Sequence, residues 1–121
     1  VADWVIDDQP VWLKTRNKPI LNIPYTQECN DVAMMLIQHH KATEYHDRAM
    51  DQFEQIYHDS ADSARVMALV VHPYIMGAPH RAKHFRRILE KISHRPDVVF
   101  WTGEQIYDWY LSQRPDALRG G

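Results

Sequence analysis

The sequence predicts an α/β fold in which parallel strands alternate with helices. Three observations predict it. Val66 to Val71 is apolar and partly β-branched, ends at His72-Pro73, and is followed from Pro79 by a helical pattern. Val98-Val99-Phe100-Trp101 repeats the arrangement ahead of a helix start at Thr102. Thr43 to His58 carries an amphipathic stripe that precedes both. Alternation of this kind argues for a parallel sheet with right-handed crossovers.

The elements follow in order. Val1 to Ile6 reads as a short strand, and Asp7-Asp8-Gln9-Pro10 as a turn. Val11-Trp12-Leu13 is a short apolar run, and Arg16 to Pro19 a polar connection. Ile20 to Tyr25 reads as a strand closed by Pro24, which cannot donate to a central ladder. Thr26 to Asp31 is rich in capping residues, so Asn30 or Asp31 can start a short helix over Val32 to Gln38. In the next helix Tyr45, Ala49, Phe53, Ile56 and Tyr57 fall on one face. The helix after Pro79 aligns Ala82, Phe85, Leu89 and Ile92, and stops before Pro96-Asp97. Thr102-Gly103-Glu104-Gln105 has the spacing of a capping box. The last helix carries Ile106, Trp109 and Tyr110, with Trp101 and Trp109 expected to pack it on the sheet. Residues 114–121 read as a flexible tail.

The chain has 121 residues, which suits one core, so 1–121 is expected to be a single domain. A formal net charge of −2 argues against nucleic acid or an anionic membrane as partner. No apolar stretch nears the roughly 20 residues of a membrane helix. Cys29 is alone, which excludes a disulfide framework or a cysteine zinc site, and a reducing, cytoplasmic setting is the expectation. The chain opens on Val1, not Met, and its first residues already look like the inside of an element.

His72 stands where an apolar run ends. In open α/β sheets and barrels, ligands bind at the carboxyl ends of strands. Histidine can carry a proton near neutral pH. A general acid or base belongs there, although a core histidine bonded to a backbone carbonyl fits the local pattern equally well. His39, His40 and His46 lack the spacing of a helical zinc pair and read as solvated. His80 and His84 are four apart on a helix and read as surface residues. His58 and His94 fall at helix ends, where positive charge suits the dipole. Arg81 can bind a carboxylate. Cys29 has no neighbouring base, which argues against a nucleophile.

The run His72-Pro73-Tyr74-Ile75-x-Gly77-x-Pro79-His80-Arg81 resembles the closing motif of the polysaccharide deacetylase (NodB-homology) family. It is most similar to the allantoinase-like and peptidoglycan deacetylase-like branch. The similarity continues through Val98-x-Phe100-Trp101-Thr102-Gly103-Glu104-x-Ile106-x-x-Trp109. Upstream, Asp3 with Asp7-Asp8-Gln9-Pro10, then Leu21-x-Ile23-Pro24-Tyr25 and Asn30-Asp31, fit the same family.

The resemblance implies the C-terminal portion of a distorted (β/α) barrel. It implies hydrolysis of a carbon–nitrogen bond, in an N-acetylated sugar polymer or a cyclic amide. His72 matches the general acid that protonates the leaving amine, and Asp3 an acidic position that orients it. Pro73, Tyr74, Arg81 and Asp8 are the expected substrate-binding residues. The resemblance implies a divalent metal, often zinc, as typical of the family, with independence of it left open for the allantoinase-like branch, but the family's Asp-Asp pair and His-x-x-x-His lie upstream of anything in this sequence. The chain therefore reads as a C-terminal half with the N-terminal half missing, holding no metal of its own and inactive alone. The other reading is a non-catalytic binding or assembly module. Exposed half-barrel strands would pair with a second copy, so a homo-oligomer is expected.

Overall fold

A computed structural model describes residues 4–113. Two short strands, β1 (Val11–Leu13) and β2 (Ile20–Asn22), form an antiparallel pair with Trp12 opposite Leu21. A single π-helical turn spans Val32–Ile37. Three α-helices follow: α1 (Ala42–Asp59), α2 (Pro79–Ser93) and α3 (Gly103–Gln113).

The helices form where their sequences place apolar stripes and caps. At the start of α1, Glu44 reaches back to accept the Lys41 N–H at 2.6 Å. The helix buries Tyr45, Ala49 and Phe53. Pro79 opens α2, where its missing N–H costs nothing. The buried positions of α2 are Ile88 and Ile92, with Phe85 packed beside them. The stripe is thus centred on Ile88 and not on Leu89, as the spacing predicted. The capping box of α3 forms as read: Thr102 N–H donates to Gln105 Oε1 at 2.8 Å, and Gln105 N–H to Thr102 Oγ1 at 3.2 Å. No residue of α3 is fully buried, Trp101 is 41% exposed, and Trp109 only half-buried. The expectation that these two indoles are core residues is therefore corrected; they pack on each other at 6.3 Å instead.

The strands depart further from expectation. Among the described residues there is no parallel sheet. The Val66–Val71 run joins its neighbours through one isolated parallel bridge, Asn30 to Val70. Its side chains still alternate as in a strand, for Met67, Leu69 and Val71 pack on the core. The ladder is missing because a parallel strand needs hydrogen-bonding neighbours along its length, and the described residues supply one. Val98 to Trp101 behaves likewise: Val98 packs inward while Val99, Phe100 and Trp101 are exposed, with no strand formed. The expected strand at Val1 to Ile6 is not formed over Trp4–Ile6, and Val1–Asp3 lie outside the described residues, as do 114–121. Trp4 instead exchanges two hydrogen bonds with the Asn22 side chain, at 2.7 and 3.1 Å. The reading of Ile20 to Tyr25 as a strand holds only to Asn22.

The core gathers Cys29, Met34, Tyr45, Ala49, Phe53, Ile75, Met76, Ile88 and Ile92. α1 and α2 pack against each other across it. The N-terminal turn is tied to the start of the 66–71 run: Asp8 O accepts Val66 N–H at 2.7 Å, and the Asp8 carboxylate pairs with Arg65 at 2.7 Å. Burial works to raise the Asp8 pKa, but hydrogen bonding with Asp7 and Arg65 and the Arg65 charge outweigh it and hold the carboxyl below its usual range.

A depressed folded-state pKa means stability that is present at neutral pH. It is lost as pH falls from about 4 through the folded value. Asp8→Asn is therefore expected to lower the urea midpoint at pH 7 and to leave it close to wild type near pH 2. An equal gap at both pH values would remove the ion pair from the account.

Candidate active site

The site is built where two chain segments meet. The Asn30–Val70 bridge brings Cys29–Asp31 beside Val70–His72: Val70 N–H donates to Cys29 O at 2.9 Å, and Asp31 N–H to Val70 O at 3.2 Å. Two residues beyond Val70, the His72 ring faces the Asp31 carboxylate. Asp31 is fully buried. It accepts three hydrogen bonds: from His72 Nδ1 at 2.7 Å, His72 N–H at 2.6 Å and Met76 N–H at 3.3 Å. A buried carboxylate is tolerated when donors surround it in this way.

The pairing sets the tautomer. A carboxylate offers only acceptors, so Nδ1 is the nitrogen that carries hydrogen toward Asp31. Nε2 is left as the nitrogen that exchanges a proton with something outside. About 38% of the His72 side chain is exposed, so a ligand can reach it.

The loop after His72 is tight. Ile75 N–H and Gly77 N–H both donate to His72 O, at 3.0 and 3.2 Å. Gly77 has no room for a Cβ: one built there would lie 2.5 Å from Pro73 O. This turn sends Ile75 and Met76 into the core and leaves Pro73 and Tyr74 at the surface. The Tyr74 ring stands edge-on to His72 at 5.9 Å. Arg81 lies in the first turn of α2, where its N–H bonds Ala78 O. His72, Pro73, Tyr74 and Arg81 thus belong to one loop and helix start.

Asp8 does not join them. It sits at the opposite end of the 66–71 run, on a cavity of about 260 Å³ shared with Asp7, Tyr25, Glu28 and Met67. Asp3, the expected orienting carboxylate, lies outside the described residues. The carboxylate bonded to His72 among the described residues is Asp31, which the sequence offered as a helix cap and as part of the family resemblance and not as a site residue. The signal available for it was its place in Asn30-Asp31, a pair that carried the family resemblance.

The other reactive side chains are accounted for locally. The Cys29 thiol is buried and donates to Gln52 Oε1 at 3.1 Å; burial pushes its pKa up to about 11, so it is not a thiolate nucleophile. His46 lies between Asp47 and Lys91, and His40 beside Arg48. Among the described residues no group of three or more His, Cys, Asp or Glu is placed to hold a metal ion. The described residues therefore do not fit the divalent metal that the resemblance implies.

In sequence and fold the chain is similar to polysaccharide deacetylases and to an allantoinase. No family model matches it. A protein of Schizosaccharomyces pombe (strain 972 / ATCC 24843) described as a "putative polysaccharide deacetylase" is 25% identical in an alignment 125 positions long, gaps included, that covers 94% of this chain. The crystal structure of a "probable polysaccharide deacetylase" from Pseudomonas aeruginosa PAO1 superposes with a TM-score of 0.81 at 26% identity over 90% of this chain. That of Puue allantoinase superposes with a TM-score of 0.83, also at 26% identity and 90% coverage. The chain spans only 39% of the yeast protein and 37% of each of the two solved chains.

Proposed function

We propose that this chain supplies the proton-donating side of a hydrolase that cleaves carbon–nitrogen bonds of the amide type. The observation that carries this is the His72–Asp31 pair, with Nδ1 bound to a buried carboxylate and the imidazole partly exposed. The names of the similar proteins support the substrate class, an N-acetylated oligosaccharide or a small cyclic amide. The chain is then one part of a distorted (β/α) barrel.

In the reaction, water adds to the amide carbonyl and gives a tetrahedral intermediate. The carbon–nitrogen bond breaks as the leaving nitrogen takes the proton from His72 Nε2. Asp31 keeps the ring oriented and stabilises its charged form. Tyr74 borders the ring, and Arg81 offers a cation to an acidic or hydroxylated substrate. No described residue is assigned as the base, and the isolated chain is expected to be inactive.

The test is amide hydrolysis by the protein in the longest form its gene encodes. N-acetylated oligosaccharides and cyclic ureides serve as substrates. His72→Ala is expected to lower turnover by roughly 10²–10⁴-fold. Turnover unchanged by that substitution would sink the reading.

A second reading is a non-catalytic assembly module that pairs with its own copy. It is favoured by the exposure of Val99, Phe100 and Trp101, which are 62%, 59% and 41% accessible. Sedimentation of the same protein separates the two readings: a stable dimer without turnover is the result this one expects.

A further inference from the structure

We propose that Tyr45 is a positioning residue for His72, its hydroxyl clamping the one bridge that sets the histidine against Asp31. The proposal rests on the reading of His72 as the proton donor.

Tyr45 lies on α1 and is fully buried. Its hydroxyl lies 3.2 Å from Cys29 O and 3.1 Å from Val70 O, and donates into the space between them. These are the two carbonyls of the Asn30–Val70 bridge. Each already accepts one N–H, Cys29 O from Val70 and Val70 O from Asp31. The hydroxyl therefore closes a ring of hydrogen bonds around the bridge. Asp31 lies two residues after Cys29, and His72 two residues after Val70. Both members of the pair thus hang at the same short distance from a clamped carbonyl.

The geometry needs such a clamp. The 66–71 run is tied at its start by the Asp8 O to Val66 N–H bond, but toward His72 it has one ladder contact among the described residues, so the placement of that end leans on the Asn30–Val70 bridge. The contact between His72 Nδ1 and Asp31 is 2.7 Å, which tolerates little movement. Anchoring the bridge to α1 ties it to the most extensively packed helix pair of the molecule. Burial, with the nearby Cys29 and Asp31, raises the Tyr45 pKa far above its usual value, so the hydroxyl remains a donor at any working pH. A phenylalanine would fill the same apolar space. Only the clamp distinguishes the two side chains.

Tyr45→Phe removes the hydroxyl and leaves each carbonyl its N–H partner, so no buried acceptor is orphaned. Tyr57→Phe is the matched control, since Tyr57 donates to Pro96 O at 3.1 Å, away from the pair. The measurement is the NMR signal of the His72 Nδ1 proton and its exchange with water, on the chain as it stands. In Tyr45→Phe the exchange of that proton with water, and of the Asp31 and Val70 amides, is expected to rise about fivefold, the value of one neutral hydrogen bond. Tyr57→Phe is expected to change neither.

An unmoved His72 Nδ1 signal and an unchanged exchange rate in Tyr45→Phe, or an equal change in Tyr57→Phe, overturns the proposal. Should Tyr45→Phe fail to fold, 3-fluorotyrosine incorporation keeps the ring and makes the hydroxyl a stronger donor. A slower-exchanging His72 Nδ1 proton then supports the clamp, and an unchanged one overturns it. These readouts need no substrate, so the clamp can stand if His72→Ala leaves turnover intact, and the hydrolase reading can stand if the clamp fails.

Discussion

Asp31→Ala is expected to cost about 3 kcal/mol or more of folding stability, read as a fall in the urea midpoint. Three donors point at this carboxylate: His72 N–H, His72 Nδ1 and Met76 N–H. All three lose their acceptor at once, in a place the solvent does not reach. Two of them belong to the backbone and cannot turn away. Asp31→Asn is gentler on the fold and harder on the chemistry. The amide keeps one acceptor oxygen but presents an NH₂ group to one of the three donors. The imidazole can accept from that NH₂ through Nδ1, which moves the ring hydrogen to Nε2. The ring is then held in the opposite tautomer, and its charged form no longer faces a negative charge. Turnover of the longest encoded form is expected to fall by about 10²–10⁴-fold. The nitrogen shifts of His72 report the tautomer directly. A wild-type midpoint for the alanine variant would mean that the carboxylate does not hold the loop.

Gly77→Ala is the second large effect, and it acts through backbone alone. A Cβ at this position would lie 2.5 Å from Pro73 O, 2.7 Å from Pro73 Cα and 3.0 Å from Pro73 C. None of these atoms belongs to a flexible side chain that can swing aside. The turn must open, and the Gly77 N–H to His72 O bond of 3.2 Å opens with it. The expected cost is roughly 1–3 kcal/mol, toward the upper end. Because the same turn carries Pro73 and Tyr74 past the histidine ring, the edge-on contact of Tyr74 is expected to be lost as well. Gly103→Ala is the control. Its Cβ would meet only Ile23 Cδ1, at an ordinary 3.7 Å, and its urea midpoint is expected to stay within a few tenths of a kcal/mol of wild type or rise slightly.

The three helices were legible because their signals are local. The stripe of Tyr45, Ala49 and Phe53, the proline at the start of α2 and the capping box at Thr102 all act within a turn or two of the chain. The strands were half legible. Met67, Leu69 and Val71 do face the core in alternation, as the apolar run suggested. Pairing, however, is a property of what lies alongside, and the run itself carries no record of that. The antiparallel pairing of β1 with β2 was missed for a related reason. Val11–Leu13 is too short to show a period, and a six-residue polar connection does not announce a tight turn. His72 was legible because it interrupts an apolar run next to proline. Asp31 was not, since its partner lies 41 residues away and its own neighbourhood looks like an ordinary helix cap.

The run from Val66 to Val71 also inverts a common relation between hydrophobicity and protection. Val66 and Val70 donate to Asp8 O and Cys29 O, but Met67, Ala68, Leu69 and Val71 have no backbone acceptor among the described residues. The greasiest stretch of the molecule is therefore expected to trade its amide hydrogens with heavy water quickly, while the charged, surface-facing helices hold theirs. A deuterium map of this protein would show its apolar spine as the open seam and its amphipathic helices as the closed ones.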